Sequence, residues 1–358
     1  MIAAPGAART VLVADDSAFM RKLIGEMISD HAGFRVAGFA RDGVDTLDQI
    51  QRIEPDIVTL DLEMPRLDGL RVLRRIMTES PRAVVVLSAG GPQSGDATLR
   101  ALELRAVDFV RKPSGPVSLD LPVILDLLMH PLDAAAAATI APPSTLPSLV
   151  AAPARAAASA ARHAPARHVV VIASSTGGPR ALAEIVPLIP ESIGAAVVIA
   201  QHLPGEFTAA LANRLARSSA VVVREGDDAL ELFSGTVYIA RGGVDTKISG
   251  AVGAAFLTLQ PRASRGGATP SADLLFESAA DVFHEACTGV VLTGMGRDGA
   301  AGLKRIRAAG GHAIVQDEAS SAIYGMPRAA LAEAGADHVS SLSAIASAII
   351  GTIPEERL

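Results

Sequence analysis

The sequence predicts an α/β protein with two doubly wound parallel-sheet domains. Short apolar runs alternate with amphipathic segments on both sides of a region rich in alanine and proline. Such alternation is typical of parallel strands joined by helices that cover both faces of a sheet. The length of 358 residues also agrees with about two domains.

The first domain, residues 1–130, is predicted to contain five strands. They lie at residues 11–14, 34–39, 56–60, 83–87 and 107–110. A helix after the first strand is indicated by apolar residues at helical spacing behind Ser17, the expected N-cap residue. These apolar residues are Met20, Leu23, Ile24, Met27 and Ile28. We interpret them as part of the core.

Residues 131–166 are predicted to form a linker between the domains. They contain sixteen alanines and six prolines, but only Asp133, Arg155 and Arg162 as charged residues. Such a segment cannot form a packed core, and its prolines favour an extended chain of intermediate stiffness with room for a short alanine-rich helix.

The alternation resumes in the second domain, residues 167–358. Its predicted strands lie at 168–173, 195–200, 220–223, 236–240, 289–293 and 312–316. An irregular section from about 236 to 270 has a composition that favours β structure. The second domain is therefore also predicted to be α/β.

Composition argues against several classes of protein. No apolar stretch reaches the ~18 residues that a membrane span requires, and no secretory signal pattern is present. A net charge of −6 argues against a nucleic-acid-binding surface. Cys287 is the single cysteine, which excludes an intramolecular disulfide and fits a reducing compartment. We therefore expect a cytoplasmic protein that neither enters a membrane nor binds nucleic acid.

Acidic residues follow two strands of the first domain. Asp15 and Asp16 come after the first strand, and Asp61 comes after the third. The carboxyl ends of parallel strands meet at one edge, so these side chains should converge, and Mg²⁺ prefers such oxygen ligands. Any one of them alone is more often an ordinary loop acid. Together with Ser88 and Lys112 after the next two strands, they predict a phosphorylatable aspartate.

Four segments of the first domain closely resemble the receiver domain of two-component response regulators. They are Asp15-Asp16-Ser17, residues 60–69, Ser88-Ala89 and Lys112-Pro113. The resemblance implies a flavodoxin-like fold in which a histidine kinase is the phosphodonor for Asp61. Asp15, Asp16 and Asp61 would hold Mg²⁺, and Lys112 would pair with the phosphate. Ser88 and Phe109 would be the switch residues.

The first strand of the second domain runs into a turn of small residues, 174–178, with the sequence Ser-Ser-Thr-Gly-Gly. A serine on such a turn can be a nucleophile, and N–H groups at the following helix start can stabilise an oxyanion or bind a phosphate. The spacing matches neither the common nucleotide-binding glycine motifs nor the GxSxG turn of ordinary hydrolases. Both interpretations stay open at this point.

His202 and Asp298 each follow a later buried strand. Each has a simpler interpretation, His202 as a hydrogen-bonded loop residue and Asp298 as the cap of a helix beginning near Ala300. Ser175, His202 and Asp298 together supply a nucleophile, a base and an orienting carboxylate. The set therefore indicates a hydrolytic site.

Four segments of the second domain resemble the catalytic domain of chemotaxis protein-glutamate methylesterases. They are residues 174–178, 201–204, 292–302 and 324–327. That family joins a receiver to this domain through a linker, so the resemblance covers nearly the whole chain. It implies a Rossmann-like α/β domain with Ser175 as nucleophile, His202 as base and Asp298 as its partner. Thr176 and Met295 would lie beside them.

The resemblance also implies the reaction and its regulation. The family hydrolyses γ-glutamyl methyl esters on methyl-accepting chemotaxis receptors, releasing methanol without a cofactor for ester hydrolysis, and some members also deamidate receptor glutamines. The receiver covers the active site in that family, so phosphorylation of Asp61 is expected to raise activity.

Two departures from the family pattern bear on the site. Ala173-Ser174 stands where Gly-Ala commonly precedes the nucleophile, which leaves Ser174 as a competing nucleophile. Thr269 stands where an arginine often precedes Pro-Ser, so a different receptor or a methylated partner outside chemotaxis is an alternative.

Two other functional classes are considered. A DNA-binding response regulator would share residues 1–130, but the second domain lacks a compact basic helix-turn-helix. A nucleotide-dependent α/β enzyme is the stronger rival, because the Thr-Gly-Gly part of the turn could cradle a phosphate.

Overall fold

The structure is a computed structural model that describes residues 8–89, 92–112, 121–140, 164–261 and 269–354, without the side chains of 92–93 and 121–127. The chain divides into two compact units, Met1–Ser148 and Leu149–Leu358. The division falls within the predicted linker, most of which lies outside the described residues, as does Pro113 of the receiver motif Lys112-Pro113.

The first unit is a parallel five-stranded sheet with the order β2-β1-β3-β4-β5. Its strands are β1 (Arg9–Ala14), β2 (Phe34–Ala40), β3 (Ile57–Asp61), β4 (Ala83–Ser88) and β5 (Asp108–Arg111). Its helices are α1 (Ala18–Ser29), α2 (Gly43–Ile53), α3 (Gly69–Glu79), α4 (Pro92–Glu103) and α5 (Leu121–Ala137). This strand order is that of the flavodoxin-like fold.

The local signals in the sequence explain these elements. The central strands β3 and β4 are buried along their whole length, as expected when helices cover both faces of a parallel sheet. The Ser17 side chain accepts a hydrogen bond from the amide of Met20, which confirms the predicted cap of α1. Ile24, Met27 and Ile28 form the buried face of that helix.

The predicted linker overlaps ordered structure at both ends. The last turn or two of α5 extend through Pro131 to Ala137, and residues such as Leu132 and Ala134 are buried. At the other end, Ala166 already donates a hydrogen bond to Leu232 of the second unit at 2.9 Å. Alanine is the strongest helix former, which explains how this composition continues a helix.

The second unit is a seven-stranded sheet with the order β14-β13-β12-β6-β7-β9-β8, in which every neighbouring pair is parallel. Its strands are β6 (His168–Ser174), β7 (Ala195–Gln201), β8 (Val222–Glu225), β9 (Thr236–Ile239), β12 (Cys287–Val291), β13 (His312–Gln316) and β14 (His338–Ser340). A separate antiparallel hairpin is formed by β10 (Asp245–Ser249) and β11 (Phe256–Gln260). The helices are α6 (Gly178–Ile185), α7 (Gly205–Ser218), α8 (Ala272–Phe283), α9 (Ala300–Ala308), α10 (Met326–Ala334) and α11 (Leu342–Gly351).

The topology of this sheet determines where a site can form. From β6 the chain moves to β7 on one side, and later returns to β12 on the other side of β6. In open α/β sheets, ligands bind outside the carboxyl ends of the strands at such a switch point. The residues that follow β6, β7 and β12 therefore meet at one crevice.

The expectations about membrane spans and Cys287 can be compared with the structure. No helix among the described residues is long and apolar enough to cross a membrane. Cys287 is buried in the core of the second unit, and burial raises the pKa of its thiol. A buried neutral thiol is a packing group and not a nucleophile.

Candidate functional site

Three carboxylates meet at the carboxyl ends of β1 and β3. Asp15 and Asp61 are buried and Asp16 is exposed, yet one oxygen of each lies within 4.8 Å of the others. Backbone amides hold the two buried groups, since Ser17 donates to Asp15 at 2.9 Å and Glu63 donates to Asp61 at 3.1 Å. These three residues are called the acidic pocket below.

Lys112 lies between the two buried acids of the acidic pocket. Its Nζ is 2.8 Å from Asp15 Oδ2 and 2.6 Å from Asp61 Oδ2. Burial raises the pKa of Asp61, and the ion pair with Lys112 only partly opposes that rise. Burial alone would lower the pKa of Lys112, but its two carboxylate partners outweigh this and raise it. One ammonium thus faces two buried carboxylates. The group keeps a net negative charge that a second cation can neutralise.

The donor set of the acidic pocket fits Mg²⁺. Apart from the ion pairs with Lys112, the Oδ2 atoms of Asp15 and Asp61 accept no well-oriented hydrogen bond within the described part of the chain. These hard oxygens, with the exposed carboxylate of Asp16, are the ligand type that Mg²⁺ prefers.

The two predicted switch residues lie on β4 and β5. Ser88 is buried one position beyond the residue that pairs with Asp61, and its Oγ lies 2.8 Å from Thr98 Oγ1 on α4. Phe109 is half-buried on β5. The structure therefore places Ser88 at the edge that carries the acidic pocket, with its hydroxyl turned toward α4.

The serine-containing turn after β6 is shaped by close backbone contacts. Gly177 has a φ of 79°, in the region that favours glycine. A Cβ on Gly178 would lie 2.0 Å from the Oε1 atom of Gln201. The Ser175 amide donates to the carbonyl of Thr293 at 3.0 Å. The small residues of the turn are thus required by packing against β7 and the segment after β12.

Ser174 and Ser175 differ in their surroundings. Ser174 is fully buried and its hydroxyl donates to Gln201 Oε1 at 2.7 Å. Ser175 lies one residue beyond β6 and retains 9% exposure. The geometry therefore favours Ser175 as the reactive hydroxyl.

His202 and Asp298 form a pair at the same crevice. His202 Nε2 lies 2.8 Å from Asp298 Oδ2, and both side chains are largely shielded from solvent. Burial alone would raise the pKa of Asp298, but hydrogen bonds from His202 and two backbone amides outweigh it and lower that pKa. An ionised carboxylate only accepts hydrogen bonds, so Nε2 carries the proton of this bond. In the neutral ring, Nδ1 is then the nitrogen that can act as a base.

Ser175 is placed next to this pair by the strand pairing, not by a direct bond. Ser174 pairs with Gln201 across β6 and β7, and the His202 amide donates to the Ser174 carbonyl at 3.0 Å. The Ser175 hydroxyl makes no hydrogen bond with His202 in the described residues. Catalytic hydrogen bonds are often long without substrate and shorten when it binds.

Asp298 caps a different helix from the one expected from sequence. Its carboxylate accepts hydrogen bonds from the amides of Ala272 at 2.7 Å and Asp273 at 2.9 Å, at the start of α8. The cap position of α9 is Gly299, which has no side chain. The interpretation of Asp298 as the cap of the helix near Ala300 is therefore wrong.

Some of the backbone amides expected to stabilise an oxyanion already donate to other groups in the structure. The amides of Ser175 and Gly178 are occupied by the carbonyls of Thr293 and Ser175, respectively. The amides of Gly177 and Met295 donate to no backbone carbonyl in the described residues. Thr176 is buried in the same turn and Met295 is half-buried in the facing segment after β12.

Sequence reasoning assigned no role to Gln201, Thr293 and Gln316, which hold the crevice together. Gln201 Nε2 donates to the Ser175 carbonyl at 3.0 Å. The Thr293 hydroxyl donates to the Thr176 carbonyl at 3.0 Å and accepts from the Ile323 amide at 2.9 Å. Gln316 Oε1 accepts from the Thr293 amide at 2.8 Å. Their position at the carboxyl ends of β7, β12 and β13 was the available signal.

Comparisons with known protein families agree with this two-part organisation. The family model described as CheB methylesterase matches residues 170–349. The model described as response regulator receiver domain matches residues 11–123.

Individual relatives match over nearly their whole length. The chain is 43% identical over 357 residues to a Geobacillus kaustophilus protein named protein-glutamate methylesterase/protein-glutamine glutaminase, covering 96% of this chain and 99% of the relative. A Pyrococcus horikoshii protein of the same name is 38% identical over 346 residues, covering 96% and 93%. The crystal structure of the Thermotoga maritima CheB methylesterase catalytic domain matches with a TM-score of 0.51 and 35% identity, covering 52% of this chain and 98% of that one.

Proposed function

The chain belongs to the CheB methylesterase family, and from this we propose that it is a protein-glutamate methylesterase that uses Ser175, His202 and Asp298. The supporting observation is the crevice at the switch point, where the turn after β6 faces the His202–Asp298 pair with its 2.8 Å contact. A receiver domain on the same chain adds control by phosphorylation.

The geometry supports a serine acyl-enzyme mechanism. The Ser175 oxygen attacks the ester carbonyl of a methylated glutamate while its proton passes to His202 Nδ1. The tetrahedral intermediate then collapses, the bond to the methoxy oxygen breaks, and methanol leaves with the proton from His202. Water attacks the acyl-enzyme with His202 again acting as base, which regenerates Ser175 and releases a glutamate carboxylate. A receptor glutamine would react in the same way and release ammonia.

Two features stabilise charge during these steps. The amides of Gly177 and Met295 donate to no backbone carbonyl in the described residues and are the proposed donors to the oxyanion. Asp298 stays ionised and stabilises the imidazolium that forms on His202. Removing one oxyanion donor in other hydrolases costs about 10²–10³ in kcat, so these amides supply a substantial part of the rate.

The acidic pocket is proposed as the phosphorylation site, with Asp61 as acceptor and a histidine kinase as phosphodonor. Asp15, Asp16 and Asp61 would hold Mg²⁺, which supplies charge neutralisation for the incoming phosphoryl group. Lys112 forms ion pairs with both buried acids in this structure, and it would form one with the phosphate after phosphorylation. Ser88 would leave Thr98 and turn toward the same group.

The proposed partners are methyl-accepting chemotaxis receptors and the cognate histidine kinase, in the cytoplasm. The names of the relatives favour this over a methylated partner outside chemotaxis or a nucleotide-dependent reaction. The net charge of −6 continues to argue against nucleic acid as a partner.

Methanol release from methylated receptor membranes tests the proposal. We expect the purified chain to release methanol without added nucleotide, and faster with a small phosphodonor and Mg²⁺. Ser175→Ala is the matched control and should release none. Turnover that requires a nucleoside triphosphate would contradict the assignment.

A further inference from the structure

Two helices of the second unit exchange hydrogen bonds from their first amides beside the base, in addition to the Ser271 cap that α8 has of its own. Asp298 precedes α9 but accepts hydrogen bonds from the amides at the start of α8, Ala272 and Asp273. Asp273 lies in the first turn of α8 but accepts hydrogen bonds from Gly299 at 2.9 Å and Gly302 at 2.8 Å, at the start of α9. Each carboxylate thus satisfies amides of the opposite helix.

The exchange is required by the residues at the start of α9. Its cap position, Gly299, has a φ of 92° and no side chain that could accept a hydrogen bond. A Cβ on Gly302 would lie 2.9 Å from the carbonyl oxygen of Asp273, so the two helices are in close contact here. Asp273 is therefore the group that anchors the turn carrying Asp298.

We propose that Asp273 is a positioning residue for the catalytic base. It holds the amide of Gly299, the residue directly after Asp298, and so fixes the carboxylate at 2.8 Å from His202 Nε2. Asp273 itself is not expected to touch substrate, because its Oδ1 is engaged by α9. The kinetic part of this inference rests on the proposed esterase function.

The electrostatics of the pair agree with this division of roles. Burial raises the pKa of Asp273, the amides of α9 oppose the rise, and the nearby Asp298 adds to it. Asp298, by contrast, has a lowered pKa because His202 and the amides of α8 stabilise its charge. Two carboxylates can approach each other here because the positive ends of two helices face them.

The alternative is that Asp273 merely stabilises the packing of α8 against α9. The chain offers a matched control, because Asp281 on α8 pairs with Arg305 on α9 at 2.7 Å, on an exposed part of the same two helices. Asp281→Ala removes an ion pair between these helices without disturbing the turn that carries Asp298.

The experiment compares Asp273→Ala, Asp273→Asn and Asp281→Ala in the full chain, after thermal unfolding has shown that each is folded. Displacing a reacting group by about 1 Å can cost up to about 10²-fold in rate. We expect Asp273→Ala to lower kcat by about tenfold or more with KM changed less than about twofold. Asparagine keeps an oxygen that can accept from Gly299, so Asp273→Asn should restore most of kcat. Asp281→Ala should retain wild-type kcat.

A second measurement does not depend on activity. The proton shared by His202 and Asp298 should give a downfield NMR signal that is absent from Asp298→Ala. It should be lost or shifted in Asp273→Ala and retained in Asp273→Asn and Asp281→Ala. Wild-type kcat and an unchanged signal in Asp273→Ala would overturn the inference, as would an equal loss in Asp281→Ala. If the wild-type chain released no methanol but the signal responded as described, the proposed function would fail and the positioning role would stand.

Discussion

The two adjacent serines of the turn after β6 differ in what surrounds their hydroxyls. Ser174 donates to a buried glutamine oxygen, whereas Ser175 retains 9% exposure. A Cβ on Gly294 would lie 2.8 Å from Ser175 Cβ, so any larger residue there would crowd the Ser175 side chain. The hydroxyl that Ser174 adds, where the family commonly has alanine, therefore affects the support of the turn and not its chemistry.

Ser175→Ala is expected to abolish esterase activity without unfolding the protein. The change removes one oxygen from a turn that already favours small residues, and loss of such a nucleophile costs roughly 10⁴-fold or more in kcat. Ser174→Ala should be far milder, because it removes one hydrogen bond worth about 1 kcal/mol. Methanol release and thermal unfolding measure both effects. Turnover retained in the first variant and lost in the second would move the nucleophile to Ser174.

The His202–Asp298 pair predicts how activity depends on pH. His202 must be neutral to accept the serine proton, so we expect activity on the unphosphorylated chain to be lower at about pH 5 than at about pH 8. Asp298 has a lowered pKa and stays ionised there, and its contribution to stability is lost only as the pH falls through that lowered pKa. Asp298→Asn should reduce kcat roughly 10⁴-fold and KM little, because the amide favours the wrong tautomer. A flat pH profile with chemistry limiting turnover would argue against His202 as base.

The roles of the residues that hold the crevice together could not be predicted from the sequence. Ser175, His202 and Asp298 could be predicted because each is a chemically distinctive residue at a strand end. Gln201 and Thr293 act through bonds to backbone carbonyls of the turn after β6, and nothing in their own sequence context specifies those partners. The role of Asp273 was equally hard to predict, since the amides that donate to it lie at the start of a helix that begins 27 residues later in the sequence, at Ala300.

The strands of the first unit could be predicted from the sequence. All of them lie within two residues of the predicted ends, because strands of a parallel sheet are short apolar runs bounded by polar residues. The short edge strand β14 was not predicted, since its residues are partly exposed and carry no apolar run. The hairpin of β10 and β11 was recognised only as a section that favours β structure.

Helix starts determine much of the chemistry of the second unit. The N-termini of α6, α8 and α9 all lie at the carboxyl edge of the sheet, next to Ser175, Asp298 and Asp273. Their first amides, which have no carbonyl partner within their own helix, and the positive ends of the helix dipoles stabilise negative charge there. The fold thus supplies the electrostatic environment that an oxyanion and an ionised Asp298 both require, before any substrate side chain is bound.

The acidic pocket and the crevice that contains the His202–Asp298 pair lie in two separate compact units of the chain. Burial and the Asp15–Lys112–Asp61 ion pairs make the acidic pocket sensitive to added charge. A phosphoryl group on Asp61 adds about −1.5 to −2 charges and strong acceptor oxygens, which is enough to rearrange Lys112 and Ser88. A segment rich in alanine and proline joins the two units along the sequence.

Phosphorylation of Asp61 is therefore expected to raise methylesterase activity, and removal of the receiver distinguishes two ways in which this could occur. The deletion should stop at residue 163, because Ala164 and Ala166 pair with Ser234 and Leu232 of the second unit. If the receiver inhibits by covering the crevice, the deletion should release methanol faster than the unphosphorylated full chain, and phosphodonor should have no effect on it. Asp61→Asn in the full chain is the matched control and should keep basal activity but lose the phosphodonor response. A deletion no faster than the unphosphorylated chain would reject inhibition, and would require the phosphorylated receiver to stimulate the catalytic unit directly.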